Sequence, residues 1–266
     1  MIDRLYLGAQ LYTVRAKTKT KEDFLETIKK LSEIGYKYMQ VSGVGPEVTP
    51  EVIKEAVDTY GVKCILTHTP LERILEETDK VIKEHSVFGC DAIGIGGLFS
   101  KNYTRDADGY AKFALDIAPA VEKIKAAGKV FLYHNHRFEF EHFKDVEGND
   151  KTGLELLMSI TDPDGVKFTF DTYWSHVAGA DPADFIRRHG DRIFCLHLKD
   201  MTVKNDELLM TECLTGNLNF DSIIAAAKET GIKYHMIEQD NVYIDLFDSM
   251  KISHDNLKAR YPEFRD

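Results

Sequence analysis

The chain lacks the features that would place it in a membrane or an oxidising compartment. Only four cysteines occur among 266 residues, and none of them stands in a CxxC pair. We therefore expect buried, reduced thiols rather than disulfides or a cysteine-bound zinc. No apolar run approaches the roughly 20 residues of a membrane span, and the opening segment MIDRLYLGAQL lacks the basic flank and long apolar stretch of a secretion signal. These absences predict a cytoplasmic protein with no membrane partner.

Positive charge is scarce relative to negative charge. The chain has 34 Lys and Arg residues against 44 Asp and Glu residues, a net charge of -10. Proteins that bind nucleic acid through its phosphates usually need a basic surface, so we expect no nucleic-acid partner. The composition is otherwise ordinary, with 43% hydrophobic and 29% charged residues. The length suits one large domain, and we expect residues 1–266 to form it.

A repeated join organises the chain. Seven times an amphipathic segment ends in glycine and a short apolar run follows at once, as in IGYKYMQV and AGKVFLY. The seven glycines are Gly35, Gly61, Gly89, Gly128, Gly165, Gly190 and Gly231. A glycine after a helix adopts the left-handed conformation that other residues reach only with strain. The apolar runs are rich in β-branched and aromatic residues, which is typical of strands buried on both faces.

The segments before these glycines have helical patterns, with apolar residues every three or four positions. Asp181 and Asp221 are expected to cap two of the helices. Pro119 predicts an interruption that divides another helix in two. With the opening run LYLGAQLY, the seven joins predict eight strands linked by helical crossovers.

We therefore predict an α/β fold, a single (β/α)8 TIM barrel. A doubly wound open sheet is the alternative. It is disfavoured because no GxGxxG fingerprint follows the first strand.

Polar residues stand at the carboxyl ends of these strands, where the active sites of such barrels lie. In strand order they are Gln10 and Tyr12 (first), Gln40 (second), His68 (third), His134 and His136 (fifth), Asp171 (sixth), His197 and Lys199 (seventh), and Glu238 and Asp240 (eighth). His134 and His136 share a face because they are two residues apart. The fourth strand ends in Gly94, Gly96 and Gly97, which predicts space for a ligand there.

Two imidazoles and two carboxylates converging on one point predict a divalent metal site. Its ligands would be His134, Asp171, His197 and Glu238. The mixed nitrogen and oxygen set suits Mn, Fe, Co or Zn better than Mg, although the identity of the metal stays open.

Each of these residues also has an ordinary structural interpretation. Asp171 could simply cap the next helix, His197 could be a core histidine, and His68 could close a loop. Glu238 is harder to explain without a partner, since burying it unpaired would cost several kcal/mol. Three further histidines lie in helix-like segments and are expected to be solvated: His85, His189 and His254.

With these residues in view, the chain resembles the xylose-isomerase-like TIM barrels, the sugar phosphate isomerase/epimerase superfamily. The motifs that carry the resemblance are LGAQLYTVR (7–15), GYKYMQVSG (35–43), YHNHRFEF (133–140), FDTYWSHVAGADP (170–182), HLKDM (197–201) and IEQDN (237–241). The resemblance runs nearly from end to end. It implies a metal-dependent enzyme acting on sugars, inositols or related polyols. Members include hydroxypyruvate isomerase, ketose 3-epimerases, inosose dehydratase, lyases or hydrolases of 3-keto-glycosides, and the endonuclease IV group.

In that family a Glu, an Asp, a His and a Glu on strands five to eight typically hold the metal. The resemblance assigns these positions to His134, Asp171, His197 and Glu238. His134 thus stands where the isomerases and epimerases place a Glu, which in the epimerases is also one of two acid/base residues. Glu139 is a less favoured substitute for it. Gln40 stands where many relatives carry Glu.

The leading hypothesis is a metal-dependent isomerase or epimerase that removes a proton α to the carbonyl of a keto-sugar, inosose or related polyol. Glu238 would be a ligand and also a possible base, with His134 or His68 as the second acid/base. Lys199 would hold a substrate oxygen, unless it only pairs with Asp200. The expected substrate-binding residues are Gln10, Tyr12, Gln40, His136 and Trp174.

Three alternatives stay open. A dehydratase or lyase would begin with the same proton removal and then expel a β-substituent. A phosphodiesterase of the endonuclease IV type would want more metal ligands and a basic groove, which the net charge disfavours. A non-catalytic sugar-binding barrel would have lost its metal. A homo-oligomer is possible, and the sequence does not decide it.

Overall fold

Eight parallel strands close into a barrel in the computed structural model, which describes residues 4–145 and 147–264. The barrel strands are β1 (Tyr6–Gln10), β2 (Tyr38–Val41), β3 (Lys63–His68), β4 (Ala92–Ile95), β5 (Val130–His134), β6 (Val166–Asp171), β7 (Ile193–Leu198) and β8 (Tyr234–Ile237). Parallel pairing of β1 with β8, from Tyr6 opposite Tyr234 to Ala9 opposite Ile237, closes the cylinder. The predicted (β/α)8 TIM barrel is confirmed.

Ten α-helices alternate with the strands in the described part of the chain. They are α1 (Lys21–Ile34), α2 (Pro50–Tyr60), α3 (Leu71–Glu76), α4 (Thr78–Val87), α5 (Ala107–Ala126), α6 (Gly153–Ile160), α7 (Thr172–Val177), α8 (Pro182–His189), α9 (Phe220–Thr230) and α10 (Leu246–Arg260). Two antiparallel hairpins extend the barrel's carboxyl end. One, His142–Lys144 with Asp150–Thr152, follows β5, and the other, Asp200–Lys204 with Glu207–Thr211, follows β7. In residues 4–145 and 147–264, no helix has both the length and the hydropathy to cross a bilayer.

Two local predictions about helices were wrong. Pro119 does not divide its helix, since α5 runs unbroken through it. The carbonyl that loses its donor belongs to Leu115, whose side chain is 75% exposed, so water can satisfy it. The cap of α9 is Asn219, whose side chain accepts from Ser222 N, and Asp221 lies in the first turn instead. Asp181 caps α8 as predicted.

The glycine joins serve two different purposes. Five of the seven have positive φ and end their segments as predicted: Gly35, Gly61, Gly89, Gly128 and Gly231. Gly190 instead has φ -59°, and Gly165 is not among the glycines with positive φ. A Cβ on Gly190 would lie 2.4 Å from Thr230, and one on Gly165 would lie 2.5 Å from Val121. At these two joins the missing side chain permits close packing.

An apolar plug fills the barrel below its carboxyl end. Its buried residues are Leu66, Ala92, Leu132, Cys195 and Met236. Four of them lie two positions before His68, His134, His197 and Glu238, and therefore share the inward face of their strands with those residues. The plug thus forms the floor of a polar layer at the mouth of the barrel. All four cysteines are free and buried, as predicted.

Candidate metal centre and active site

The mouth of the barrel brings together the four predicted metal ligands. His134 ends β5, Asp171 ends β6, His197 lies in β7, and Glu238 follows β8 directly. All four are buried, and one ligand atom from each lies within 4.8 Å of the others. These residues come from four consecutive strands of the barrel, so parallel pairing of those strands brings them together. The group could hold a metal ion.

His197 is oriented for ligation by a residue on the opposite side of the barrel. Its Nε2 lies 2.6 Å from Gln40 Oε1, so the ring donates its Nε2 proton there. Its Nδ1 then faces Glu238 Oε2 at 2.8 Å, and neither atom has a hydrogen-bond partner of acceptable geometry among the described residues. Two lone pairs cannot stay this close, so a proton or a metal cation must lie between them. Although burial opposes a charge here, Glu238 and Asp171 raise the pKa of His197.

Asp171 caps a helix, which is one of the two roles considered for it, and its second oxygen faces the cluster. Its Oδ1 caps α7 by accepting from Trp174 N at 3.0 Å. Its Oδ2 lies 3.3 Å from His134 Nε2 and 3.7 Å from His197 Nδ1. Asn135 fixes the backbone at this point, since its Oδ1 accepts from Asp171 N at 2.9 Å. One carboxylate oxygen is therefore committed to the helix, and the other is directed at the cluster.

Lys199 lies inside the cluster and is completely buried. Its Nζ is 2.9 Å from Asp171 Oδ2, 2.8 Å from Glu238 Oε2 and 2.9 Å from Asp240 Oδ2. Burial alone would raise the pKa values of Asp171 and Glu238, but the Lys199 ammonium holds both well below their ordinary range. Burial would lower the pKa of Lys199, yet these carboxylates raise it well above its ordinary value. Lys199 is therefore a cation here.

The structural alternative for Lys199, pairing with Asp200, was wrong. Asp200 accepts instead from the backbone N–H groups of Met201, Gly216 and Leu218. Adjacent residues of a strand point to opposite faces, so Lys199 and Asp200 cannot both face the lumen.

His68 stands beside the cluster, with its ring centroid 5.1 Å from that of His134. Its Nδ1 is 3.2 Å from Ser42 Oγ and 3.5 Å from Gln10 Nε2. Its Nε2 has no hydrogen-bond partner in the described part of the chain. Burial, together with the imidazoles of His134 and His197, lowers the pKa of His68 well below its ordinary value. His68 is therefore a neutral imidazole with one ring nitrogen available.

Gln10 and Gln40, two predicted substrate-binding residues, are both fully buried. Gln10 Oε1 accepts from Tyr12 N at 2.9 Å, which directs its amide NH2 toward His68. Gln40 holds His197, as described above. In this geometry both glutamines position histidines, and direct contact with substrate stays a prediction.

His136 and Trp174 border the cluster. The His136 ring centroid is 4.7 Å from that of His134 and 5.5 Å from that of Trp174. Burial, followed by the effect of His134, lowers the pKa of His136 to about 2. His136 Nδ1 and Trp174 Nε1 have no hydrogen-bond partner within residues 4–145 and 147–264. Both atoms are buried and have unused hydrogen-bonding capacity at the edge of the cluster.

Glu139 is not part of the cluster. It is fully buried, and it accepts from Tyr133 Oη at 2.6 Å and from His136 N at 2.7 Å. It thereby fixes the turn that carries His136. Burial raises the pKa of Glu139 to about 7, against the opposing effect of these hydrogen bonds.

The Tyr12 ring packs on the guanidinium of Arg15, 4.1 Å from the centroid. Its predicted contact with substrate stays a prediction.

The glycines after β4 were expected to leave space for a ligand. In the structure, that space is occupied by neighbouring side chains. A Cβ on Gly96 would lie 3.2 Å from His68 Nδ1, and one on Gly97 would lie 2.9 Å from His136 Nδ1.

Two of the histidines expected on the surface are in fact buried. His85 is 4% exposed, with Nδ1 2.8 Å from Val81 O and Nε2 2.8 Å from Thr67 Oγ1. His254 is 6% exposed and packs against the Tyr36 ring. His189 is partly buried and lies 3.3 Å from Glu155. The pattern of each helix alone did not show which neighbour would cover these rings.

The sequence analysis also missed supporting residues. Ser42 contacts His68, and Asn135 fixes the backbone of Asp171. Ser42 could have been found, because it lies two residues after Gln40 and so shares its face. Asn135 lies within the motif YHNHRFEF, but strand alternation turns it away from the lumen, so its contact with Asp171 was not expected.

Comparison with known proteins agrees with this architecture. A family model described as Xylose isomerase-like TIM barrel matches residues 28–257. An inosose dehydratase from Lacticaseibacillus casei is 26% identical over 202 residues, which cover 67% of this chain and 63% of that protein. The chain therefore spans just under two thirds of the length of that curated relative.

Solved structures support the same fold. A sugar phosphate isomerase/epimerase from Parabacteroides distasonis ATCC 8503 has a TM-score of 0.79 at 23% identity, covering 100% of this chain and 96% of that one. The IOLI protein, solved with a bound zinc atom, has a TM-score of 0.73 at 13% identity, covering 98% of this chain and 100% of that one. At these identities the two likenesses concern the fold alone.

Proposed function

Because the chain belongs to the xylose isomerase-like TIM barrel family, we propose that it is a metal-dependent enzyme that removes the proton beside the carbonyl of a keto-polyol and then expels water. The observation that carries the proposal is the buried cluster in which His197 Nδ1 and Glu238 Oε2 face each other at 2.8 Å. The similarity to an inosose dehydratase supports a cyclic polyol ketone as the substrate.

The ion would be held by His134, Asp171, His197 and Glu238. Three nitrogen and oxygen donors with fixed orientation support this assignment: Asp171 Oδ1 caps α7, His197 donates Nε2–H to Gln40, and His134 can donate Nδ1–H to Gly96 O at 3.3 Å. A divalent cation there would polarise the substrate carbonyl and stabilise the negative charge that develops when the neighbouring C–H loses its proton. The set of two nitrogen and two oxygen donors suits Mn, Co, Fe or Zn better than Mg, and it does not select among those four.

His68 is our candidate for the proton carrier. This role requires the tautomer in which Nδ1–H donates to Ser42 Oγ at 3.2 Å and does not accept from the Gln10 amide at 3.5 Å; Nε2 then has a lone pair with no partner among the described residues. His68 would take the proton from carbon and return it to the departing hydroxide, so that water leaves and the imidazole is neutral again. A neutral ring is required at the start, which the lowered pKa of His68 favours.

Other residues would bind the polyol. Lys199 is a donor only, because its neighbours keep it protonated, and it can neutralise charge on a substrate oxygen. Trp174 Nε1 and His136 Nδ1, which have no hydrogen-bond partner among the described residues, would bind hydroxyl groups. Glu238 is less suited to be the base proposed from the sequence, because Lys199 and His197 stabilise its carboxylate form and lower its pKa.

An isomerase or epimerase of the same substrates is the second candidate. It needs a second proton carrier, because the proton must return to carbon at a different position or face. His136, whose Nδ1 has no partner in the described part of the chain, is the residue placed to supply one, but its pKa of about 2 makes it a weak base. A two-carboxylate epimerase would need a Glu at position 134, where this chain has His, and this difference favours the dehydratase.

The test uses full-length protein treated with EDTA, reloaded with Mn and incubated in deuterated water with inososes and linear keto-sugars. We expect loss of the α-proton NMR signal of an inosose together with a dehydrated product. A product that retains its oxygens and gains deuterium would favour the isomerase. His197→Ala should lose both the metal and the reaction, whereas the exposed-site control Glu141→Gln should keep both. Metal-loaded wild type that exchanges no α-proton in any keto-polyol would refute the proposal.

A further inference from the structure

Lys199 makes contacts that a metal ion would also need. Its ammonium lies 2.9 Å from Asp171 Oδ2 and 2.8 Å from Glu238 Oε2. These two oxygens are the ones that face the imidazoles of the cluster, because Asp171 Oδ1 is committed to α7 and Glu238 Oε2 faces His197. The ammonium and a divalent cation would therefore be attracted to the same pair of atoms.

Negative charges outnumber positive ones around the Lys199 ammonium. Three carboxylates, those of Asp171, Glu238 and Asp240, surround one ammonium. Asp171 and Glu238 are almost completely buried. Buried carboxylates without a counter-charge are strongly destabilising, and Lys199 provides one in the metal-free chain. The same positive charge repels a second cation at short range, and the low dielectric of the site strengthens that repulsion.

We infer that Lys199 is an internal counter-cation: it stabilises the metal-free barrel and weakens the binding of the divalent ion. The ion is then exchangeable rather than permanently bound, and the protein folds before it acquires its metal. This inference rests on the metal centre of the proposed function.

Asp240 gives Lys199 an anchor outside the candidate ligand set. Its Oδ2 is 2.9 Å from Nζ, and Asp240 is less buried than the other two carboxylates. When a divalent ion takes Asp171 and Glu238, the ammonium can keep Asp240. Removing the charge of Asp240 leaves Lys199 bound only to the candidate ligands, so competition with the ion should increase.

Substitutions of Lys199 and of Asp240 should therefore shift metal affinity in opposite directions. Metal-stripped wild type, Lys199→Met, Lys199→Gln and Asp240→Asn are titrated with MnCl2 by calorimetry, and thermal unfolding is followed with and without the ion. Loss of one neighbouring positive charge should lower the Kd of both Lys199 variants by about tenfold or more, whereas Asp240→Asn should raise it. In the double variant Lys199→Met/Asp240→Asn, most of the effect of Asp240→Asn should disappear, because there is no ammonium to redirect.

Thermal unfolding provides a separate readout. Without metal, both Lys199 variants should unfold at a lower temperature than wild type, and Mn should raise their Tm by more than it raises the wild-type Tm. If a Lys199 variant folds only when refolded with Mn, that dependence is the same result in a stronger form.

The inference is overturned if wild type binds Mn while both Lys199 variants bind it equally or more weakly. If none of these five proteins binds Mn, the metal centre itself is wrong, and the proposed function fails together with the inference.

Discussion

Replacing Glu139 by Gln should change how the stability of the protein depends on pH. Glu139 is a fully buried carboxyl group whose pKa burial raises to about 7, from an ordinary value of 4.5. The folded protein therefore keeps this proton up to about pH 7, while the unfolded chain loses it near pH 4.5. Between these two values the folded state binds more protons, so the free energy of unfolding falls as pH rises.

The size of the effect follows from the two pKa values. Their difference of about 2.5, at 1.36 kcal/mol for each pH unit, corresponds to about 3 kcal/mol lost between pH 4.5 and pH 7. Glu139→Gln has no proton to lose in this range, and its amide can still accept from His136 N and donate to Tyr133 Oη. Near pH 5 the free energy of unfolding of the variant should therefore be equal to or below that of wild type. Toward pH 8 the difference between variant and wild type should shift by about 3 kcal/mol in favour of the variant.

Urea unfolding of wild type and variant between pH 5 and pH 8 measures this directly. The exposed neighbour Glu141→Gln serves as the control, since it removes one carboxylate from the same turn without a buried site. Parallel stability curves for wild type and Glu139→Gln over this range would refute the reasoning, because they would mean that Glu139 titrates alike in the folded and unfolded states.

Three further perturbations test other parts of the structure. Pro119→Ala should stabilise the protein by about 1–2 kcal/mol in urea unfolding, because α5 regains a backbone donor; a loss of stability would show that the proline is needed. Gly97→Ala should destabilise by about 1–3 kcal/mol and disturb His136, since Gly97 has φ +129° and the new Cβ would meet that ring at 2.9 Å, whereas Gly61→Ala, with φ +68° and open space around it, should show the cost of backbone strain alone; equal losses would contradict the contact. Mn at 100 times its Kd should stabilise metal-stripped wild type by about 2.7 kcal/mol, measured by thermal unfolding, and Asp171→Asn should lose most of this gain; an unchanged gain would exclude Asp171 as a ligand.

Much of the candidate site could be predicted from the sequence. Strand ends could be located from the glycine joins, and the two-residue period then showed which side chains share a face. That is why His134, Asp171, His197 and Glu238 could be named, and why they lie together in the structure. The extent of the domain over residues 1–266, a homo-oligomer and the roles of the site residues stay predictions.

The order of strands and helices, and the side of each strand that faces the lumen, could be read from the chain because they depend on local periodicity. The partners of the buried charges became known from the folded structure. Lys199 was paired with its neighbour Asp200 in one interpretation, but it contacts Asp171, Glu238 and Asp240 on other strands. His85 was expected in solvent, yet it is buried against Thr67. Such partners are set by the pairing of neighbouring strands and by the packing of helices on them, which join residues far apart in the chain, and no local pattern records the distance between them.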